Sequence, residues 1–148
     1  MNENLRDYLY SQIPLSKAMS IEIKQADLSG VEVTAPLAPN SNHMDTAFGG
    51  SLGTLLILSG YAYLFHRLQM SGIECHVLIK ESKTNYLLPV KEDLRAICIA
   101  PQEEDYAKFL GILQRRGIAR IILTAYIETL EGRACLFSGE FIAQKAQR

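Results

Sequence analysis

The period of hydrophobic and polar residues changes along this chain, and each period predicts a different element. Apolar residues first recur at helical spacing, which predicts a short N-terminal helix over about 4–13 that ends before Pro14. Apolar and polar residues then alternate over 19–25 and again over 30–37. Alternation of this kind is typical of half-buried strands, and the turn between the two segments predicts an antiparallel pair.

The next element stands out because it carries no charge from Ala47 to Phe65. We predict one long helix over about 49–70, surrounded by the rest of the protein on all sides. A membrane span is the alternative, since the uncharged run approaches the required length. Four glycines and several hydroxyl side chains interrupt the run, however. The stretch from the helix start near Gly50 to His66 is also too short to cross a bilayer core, so a buried helix is favoured.

A third strand is predicted over 76–88, closed by Pro89. Its alternation predicts two faces, with Lys80, Ser82, Thr84 and Tyr86 on one and Val77 and Ile79 on the other. Residues 94–100 predict a fourth strand between a polar turn and Pro101.

The last third predicts a helix and a hairpin. Helical spacing runs from Glu103 to Gly117, with acidic residues at its start and Arg115-Arg116 at its end, as the helix dipole favours. Two long alternating segments, 118–130 and 133–143, then flank Glu131-Gly132, which is a tight hairpin signal.

Together these elements predict a single α+β domain over 1–148, with an antiparallel sheet of about six strands wrapped around one long buried central helix.

Composition narrows the possible partners and compartments. The chain has 148 residues, and 15 Lys and Arg against 16 Asp and Glu leave a net charge of -1. Basic residues are scattered apart from Arg115-Arg116, so we expect no nucleic-acid or membrane partner. Cys75, Cys98 and Cys135 match no metal or redox spacing, which favours reduced core cysteines and no metal or cofactor. The N-terminus lacks the pattern of a signal peptide, and we expect a cytoplasmic protein.

The candidate chemistry lies in the loop Asn42 to Ser51, which leads into the central helix. A helix that begins at Gly49 or Gly50 directs its first unpaired N–H groups at whatever the preceding loop holds. Such an arrangement suits an anion or a polarised carbonyl.

These features together resemble the hotdog fold of acyl-CoA and acyl-carrier-protein thioesterases. The resemblance covers nearly the whole chain: two strands, a loop with Asn42 and the Gly49-Gly50 pair, the buried helix, and a strand that ends Tyr86-Leu87-Leu88-Pro89-Val90. The segment from Asn42 to Leu52 is similar to the thioesterase domain that follows an acetyltransferase domain in some bacterial proteins, although no acetyltransferase segment is present in this sequence.

The resemblance implies a concrete site. Thioesterases of this fold are at least dimers, so a homodimer or a dimer of dimers is expected, with active sites where two subunits meet. The thioester carbonyl is then expected near the backbone amides of Gly50 and Ser51, with Phe48 and Gly49 beside it. Asn42 matches the position of an asparagine that is catalytic or polarises the substrate in one branch of the family.

One departure from that branch affects the mechanism. There, an acid on the central helix, about two turns beyond the glycine pair, serves as base or nucleophile; here the matching segment is 55–58, Leu-Leu-Ile-Leu. The sequence has no carboxylate between Asp45 and Glu74. Water activation would therefore fall to His43, to Asp45 or to a residue of a partner subunit; alternatively, the domain binds acyl thioesters without hydrolysing them.

Three other patterns in the sequence have a structural explanation beside a functional one. Gly49 to Gly53 matches the nucleophile elbow G-x-S-x-G, but no histidine follows His76, so a triad on Ser51 is disfavoured. His43 is equally a general base or a structural loop residue. His66 is expected to complement the dipole at the end of the central helix.

Three function classes remain from the sequence. The first is a hydrolase of acyl-CoA or acyl-carrier-protein thioesters, placed in fatty-acid metabolism. The second is a non-hydrolytic acyl-thioester-binding domain that assists fatty-acid synthesis or an acetyltransferase partner. The third is a structural oligomerisation module.

Overall fold

The computed structural model describes residues 2–146 and contains four α-helices and six β-strands there. The helices are α1 Asn2–Gln12, α2 Pro14–Ala18, α3 Gly49–Met70 and α4 Glu103–Arg116. The strands are β1 Glu22–Asp27, β2 Gly30–Ala35, β3 Cys75–Tyr86, β4 Leu94–Ile99, β5 Ile118–Thr129 and β6 Gly132–Lys145. Most of these elements lie where the sequence predicts them; the short helix α2 after Pro14 was not predicted.

The six strands form one antiparallel sheet in the order β1-β2-β4-β5-β6-β3. Helix α3 packs across this sheet, because leucine side chains such as Leu55, Leu56 and Leu64 are fully buried against it. The predicted architecture of a sheet around a central helix is therefore confirmed. No helix of the described chain is long and apolar enough to cross a bilayer.

Close packing between α3 and the sheet depends on Gly60. A Cβ atom at this position would lie 2.5 Å from Cζ of Phe141, a fully buried side chain of β6. Because that distance is far below van der Waals contact, only glycine lets the helix approach the ring without displacing it.

The prediction that α3 is buried on all sides is wrong in one respect. A stripe of half-buried residues at helical spacing runs along one side of the helix, and we call it the open stripe: Thr54, Ile57, Tyr61 and Phe65. Only its last member is stacked by another element, since the ring of Tyr8 in α1 lies 4.1 Å from the ring of Phe65. The sheet curves around the helix but leaves this side uncovered in the single chain.

The predicted faces of β3 are also wrong. The pairing of β3 with β6 shifts by one residue between Ile79 and Glu81, which is a β-bulge. Before the bulge, Ile79 pairs with the buried Phe141, and after it Ser82 pairs with Gly139. Directly paired residues share a face, so the extra residue places Val77 and Ile79 on the same face as Ser82, Thr84 and Tyr86. Lys80 instead forms an ion pair with Glu140, 3.6 Å away, on the other face.

The far end of α3 is held by a cluster around Arg67. This guanidinium donates to the hydroxyl of Tyr63 at 2.7 Å and lies 3.9 Å from the ring centroid of Tyr106 in α4. The neighbouring His66 does not have the role predicted for it. Its side chain is buried, and burial lowers its pKa, which disfavours the cationic form that would complement the helix dipole.

Candidate active site

The start of α3 presents three backbone amides without partners. Phe48 is the N-cap residue, with extended backbone angles of φ -64 and ψ 134, and its side chain makes no capping hydrogen bond. Within the described chain, no hydrogen bond begins at the amides of Gly49, Gly50 and Ser51. These N–H groups carry the positive end of the helix dipole, and Gly50 is exposed, so an electron-rich atom can approach them.

Backbone hydrogen bonds hold this helix start in place. The amide of Ala47 donates to the carbonyl of Val90 at 2.8 Å, and the amide of Phe48 donates to the carbonyl of Asn40, also at 2.8 Å. Asn40 is itself buried, and its side-chain amide donates to the carbonyls of Met19 and Pro36 at 3.0 and 2.8 Å. Hydrogen bonds to two other segments of the chain therefore fix the backbone that directly precedes the three free amides.

Two aromatic rings flank the first turn of α3. A Cβ atom at Gly50 would lie 2.4 Å from the ring of Phe48, and one at Gly49 would lie 3.7 Å from the ring of Tyr86. The Tyr86 hydroxyl also donates to the carbonyl of Gly49 at 3.1 Å. Both side chains are more than half exposed, at 57% and 55%, so they form walls on either side of the amides rather than a closed lid.

Asn42 organises the loop that precedes the helix. Its side-chain oxygen accepts the backbone amides of Met44 at 2.8 Å and Thr46 at 3.2 Å, and its side-chain nitrogen donates to the Thr46 hydroxyl at 2.9 Å. Both polar ends of the amide are therefore engaged within the loop. To polarise a substrate carbonyl, Asn42 would have to exchange one of these hydrogen bonds.

We expect Asn42→Ala to lower the free energy of unfolding by about 1–2 kcal/mol, because two loop amides lose their acceptor. Asn42→Asp retains the acceptor oxygens, and the Thr46 hydroxyl can donate to them, so this variant should lose less than about half of that stability. Urea unfolding of the two variants and the wild type measures the difference. Equal losses in both variants would show that the loop does not depend on these acceptors.

Within the described chain, neither of the other two residues predicted to be catalytic has a side-chain hydrogen bond to the first turn of α3. His43 and Asp45 are both exposed, and within the described chain their side chains make no hydrogen bond or ion pair. Asp45 has a left-handed backbone, with φ 58, and its amide donates to the carbonyl of Asn42 at 3.2 Å within the loop. The Ser51 hydroxyl has no hydrogen-bond partner in the described chain either, so no histidine activates it here.

Helix α3 carries no carboxylate along its 22 residues. The side chain at the position of a possible base, about two turns from Gly50, is Ile57, which belongs to the open stripe. The polar side chain that does contact the first turn is the hydroxyl of Tyr86, and the sequence did not mark it as a site residue. Its sequence signals are its place at the end of a strand and its place in the segment Tyr86-Leu87-Leu88-Pro89-Val90, which the family resemblance includes.

This chain is similar to a described family along almost its whole length. A family model described as "Putative thioesterase (yiiD_Cterm)" matches residues 2–145.

Solved structures share the fold at high coverage. A Chlorobaculum tepidum protein of unknown function is 32% identical with a TM-score of 0.92, over 98% of this chain and 94% of that chain. A Shewanella oneidensis protein described as a "putative thioesterase" is 26% identical with a TM-score of 0.88, over 97% and 96%. A Pseudomonas aeruginosa "probable thioesterase" is 19% identical with a TM-score of 0.82 over 99% and 97%, and at that identity it supports the fold alone.

Proposed function

Because the chain belongs to the thioesterase family named after the C-terminal part of YiiD, we propose that it binds acyl-CoA or acyl-carrier-protein thioesters and hydrolyses them at the start of α3. The fold is the hotdog fold, shared with thioesterase structures. The observation that carries the proposal is the set of three free amides at Gly49, Gly50 and Ser51, exposed between two aromatic walls.

Free amides at a helix start suit the chemistry of thioester cleavage. When water attacks the carbonyl carbon, negative charge develops on the carbonyl oxygen, and fixed N–H donors lower the energy of that state. The amides of Gly50 and Ser51 require no reorganisation to do so, because the segment before them is anchored at Ala47 and Phe48. Glycine at position 50 also lets the Phe48 ring pack closely against the first turn, since a Cβ there would lie 2.4 Å from the ring.

The absence of an acid on α3 favours a second candidate function. Without a carboxylate there, water activation would rely on His43, on Asp45 or on a group from a second subunit, and neither loop side chain is held by a partner in the described chain. A domain that binds acyl thioesters and does not cleave them would need the amides but no base.

We also propose that the chain forms a homodimer through β3 and the open stripe of α3. In the described sheet β3 is an edge strand, and most of its residues are exposed. Two copies that both cover their open stripes must place their helices on the same face of a joined sheet, which requires antiparallel pairing of the two β3 strands. Sedimentation equilibrium should give twice the mass of 16.5 kDa; a monomer at micromolar concentration would contradict the pairing.

Hydrolysis is tested with acyl-CoAs of graded chain length, by following the release of free thiol. The proposal predicts that thiol release increases with enzyme concentration. If Asn42 contacts the substrate, the folded Asn42→Ala variant should also be less active than the folded wild type. Tight binding by calorimetry without turnover would favour the non-hydrolytic function. Failure to bind any thioester would overturn both and leave the structural oligomerisation module.

The protein's own thiols should not disturb such an assay. Burial raises the pKa of Cys98 to about 12 and that of Cys135 to about 11, so neither is a thiolate near pH 8. Cys75 is half-buried, and burial raises its pKa as well. With an excess of aromatic disulfide reagent at pH 8, we expect at most one thiol per native chain to react within minutes, and three after unfolding. Rapid reaction of all three in the native protein would contradict the buried placement.

A further inference from the structure

The open stripe of α3 is in line with the free amides at the start of the helix. Exposed and half-buried residues recur every three or four positions along this one face: Gly50, Thr54, Ile57, Tyr61 and Phe65. A carbonyl held by the first amides therefore lies at one end of the open stripe. An apolar chain attached to that carbonyl has a continuous path along this face of the helix.

Three aromatic rings close the far end of this path, and we call them the aromatic block: Tyr8, Tyr61 and Phe65. The ring of Phe65 lies 6.4 Å from that of Tyr61 and 4.1 Å from that of Tyr8 in α1, and all three are nearly parallel. Burial and the neighbouring Tyr8 side chain raise the pKa of Tyr61 to about 12, so its hydroxyl is uncharged near neutral pH. Rings from two helices thus stack across the end of the open stripe.

Helix α1 is docked firmly enough to hold Tyr8 in this stack. Leu5 and Leu9 of the same helix are buried in the core. Arg6 forms an ion pair with Glu22 of β1, 3.0 Å away. Tyr8 is therefore presented to α3 by a helix that is anchored on both sides of it.

Two cavities lie beyond the aromatic block, with volumes of about 470 and 300 Å³. Both are lined by the rings of Tyr8 and Phe65, and within the described chain neither is lined by Tyr61 or by an earlier residue of α3. Apolar side chains such as Ile73 in the larger cavity and Leu5 in the smaller one also line them. The two rings therefore separate the open stripe from further space that suits an alkyl chain.

The separation between the amides and the aromatic block corresponds to a chain length. Gly50 and Tyr61 are eleven residues apart, which is about 16 Å along an α-helix. An extended alkyl chain advances by about 1.25 Å per carbon, because its C–C bonds are about 1.5 Å long. The path therefore holds an acyl chain of about twelve carbons.

We propose that Tyr8 and Phe65 limit the acyl chain of the substrate to about twelve carbons by closing the end of the open stripe. This inference rests on the proposed thioester function and names the chain-length class of its substrate. A second copy that covers the open stripe, as proposed above, closes the path along its length. Gly50 and Thr54 are small, so such a cover leaves space beside them, whereas the rings of the aromatic block fill that space at the far end.

The test compares kcat/KM for saturated acyl-CoAs of twelve and sixteen carbons, below their micelle concentrations. In the wild type we expect the longer chain to be at least about tenfold poorer. Tyr8→Ala joins the open stripe to the cavities, so the ratio of the two values should rise at least about tenfold in favour of the longer chain. Tyr10→Ala is the matched control, because it removes a tyrosine of the same helix whose hydroxyl instead donates to the carbonyl of Ile21. Its ratio should stay within about twofold of the wild type.

Phe65→Leu provides a second variant in case the loss of Tyr8 unfolds α1, since it removes the stacked ring but keeps an apolar side chain. It should shift the ratio in the same direction. Equal kcat/KM for both chains in the wild type, or an unchanged ratio in the folded variants, would overturn this inference and leave the proposed function standing.

Calorimetry separates the two proposals if no acyl-CoA is hydrolysed. That result contradicts the proposed hydrolysis, and the dissociation constants of the same two acyl-CoAs then test the chain-length limit. The wild type should bind the twelve-carbon chain at least about tenfold more tightly, although a longer chain buries more apolar surface. Tyr8→Ala should abolish this difference. Equal or tighter binding of the longer chain by the wild type would contradict the aromatic block as the limit.

Discussion

Gly50→Pro is expected to lower kcat/KM for an acyl-CoA by about 10²–10³, the usual cost of removing one donor from an oxyanion site. Proline has no backbone N–H, so this change deletes one of the two amides proposed to bind the carbonyl oxygen. Gly50 is the second residue of α3, where no helical hydrogen bond is lost and proline is tolerated. The expected effect is on turnover, with little change in helix content.

Two matched variants isolate the lost amide from the added atoms. Gly50→Ala introduces the Cβ that meets the exposed Phe48 ring but keeps the N–H group, so its effect measures the crowding alone. Gly49→Pro places proline one residue earlier, after the extended Phe48 residue that proline requires, and leaves the Gly50 amide intact.

Turnover should be measured for all three variants after circular dichroism has shown that each is folded. We expect both controls to retain at least a tenth of the wild-type kcat/KM. If Gly50→Pro is as active as Gly50→Ala, the carbonyl does not depend on this amide, and the helix start is not the reaction centre.

Gly60→Ala is expected to lower the free energy of unfolding by about 2 kcal/mol, although alanine is the better helix former. The added Cβ would lie 2.5 Å from the ring of Phe141, which is fully buried. Because a fully buried ring is closely packed by its neighbours, we expect α3 or β6 to shift.

Gly111→Ala is the matched control for this change. Gly111 lies within α4, and a Cβ there has nothing within 4 Å. The same substitution should then raise stability by about 0.5–1 kcal/mol, because only the backbone entropy term remains. Urea unfolding measures both changes, and a neutral or stabilising Gly60→Ala would show that α3 does not approach the sheet as closely as described.

Most elements could be predicted from the sequence because each periodic pattern extends over many residues and the ends of the elements carry specific signals. The central helix begins and ends where the glycine pair and Ser71-Gly72 predict it, and Gly117 ends α4 with a left-handed φ of 78. The faces of β3 could not be predicted, because a bulge inserts one residue and reverses the alternation that follows it. No residue pattern in 75–86 marks that shift; it arises from pairing with β6.

Of the candidate site, only the start of α3 could be predicted from the sequence. The free amides follow from a helix that starts at Gly49, and the sequence is sufficient for that inference. The hydrogen bonds of Asn42, the position of the Tyr86 hydroxyl and the burial of Asn40 depend on how segments distant in sequence pack together. The stacking of Tyr8 on Phe65 likewise depends on how α1 lies against α3.

The sequence by itself determined the helices, the strands and the glycine-led helix start, because periodicity, turn residues and backbone freedom are local properties. Only the tertiary structure decided which side of α3 stays open, which rings flank its first amides, and which ring of α1 stacks on Phe65. These properties depend on distances between segments that are far apart along the chain. A local pattern predicts where an element begins and ends, whereas the surroundings of its side chains are set by the rest of the fold.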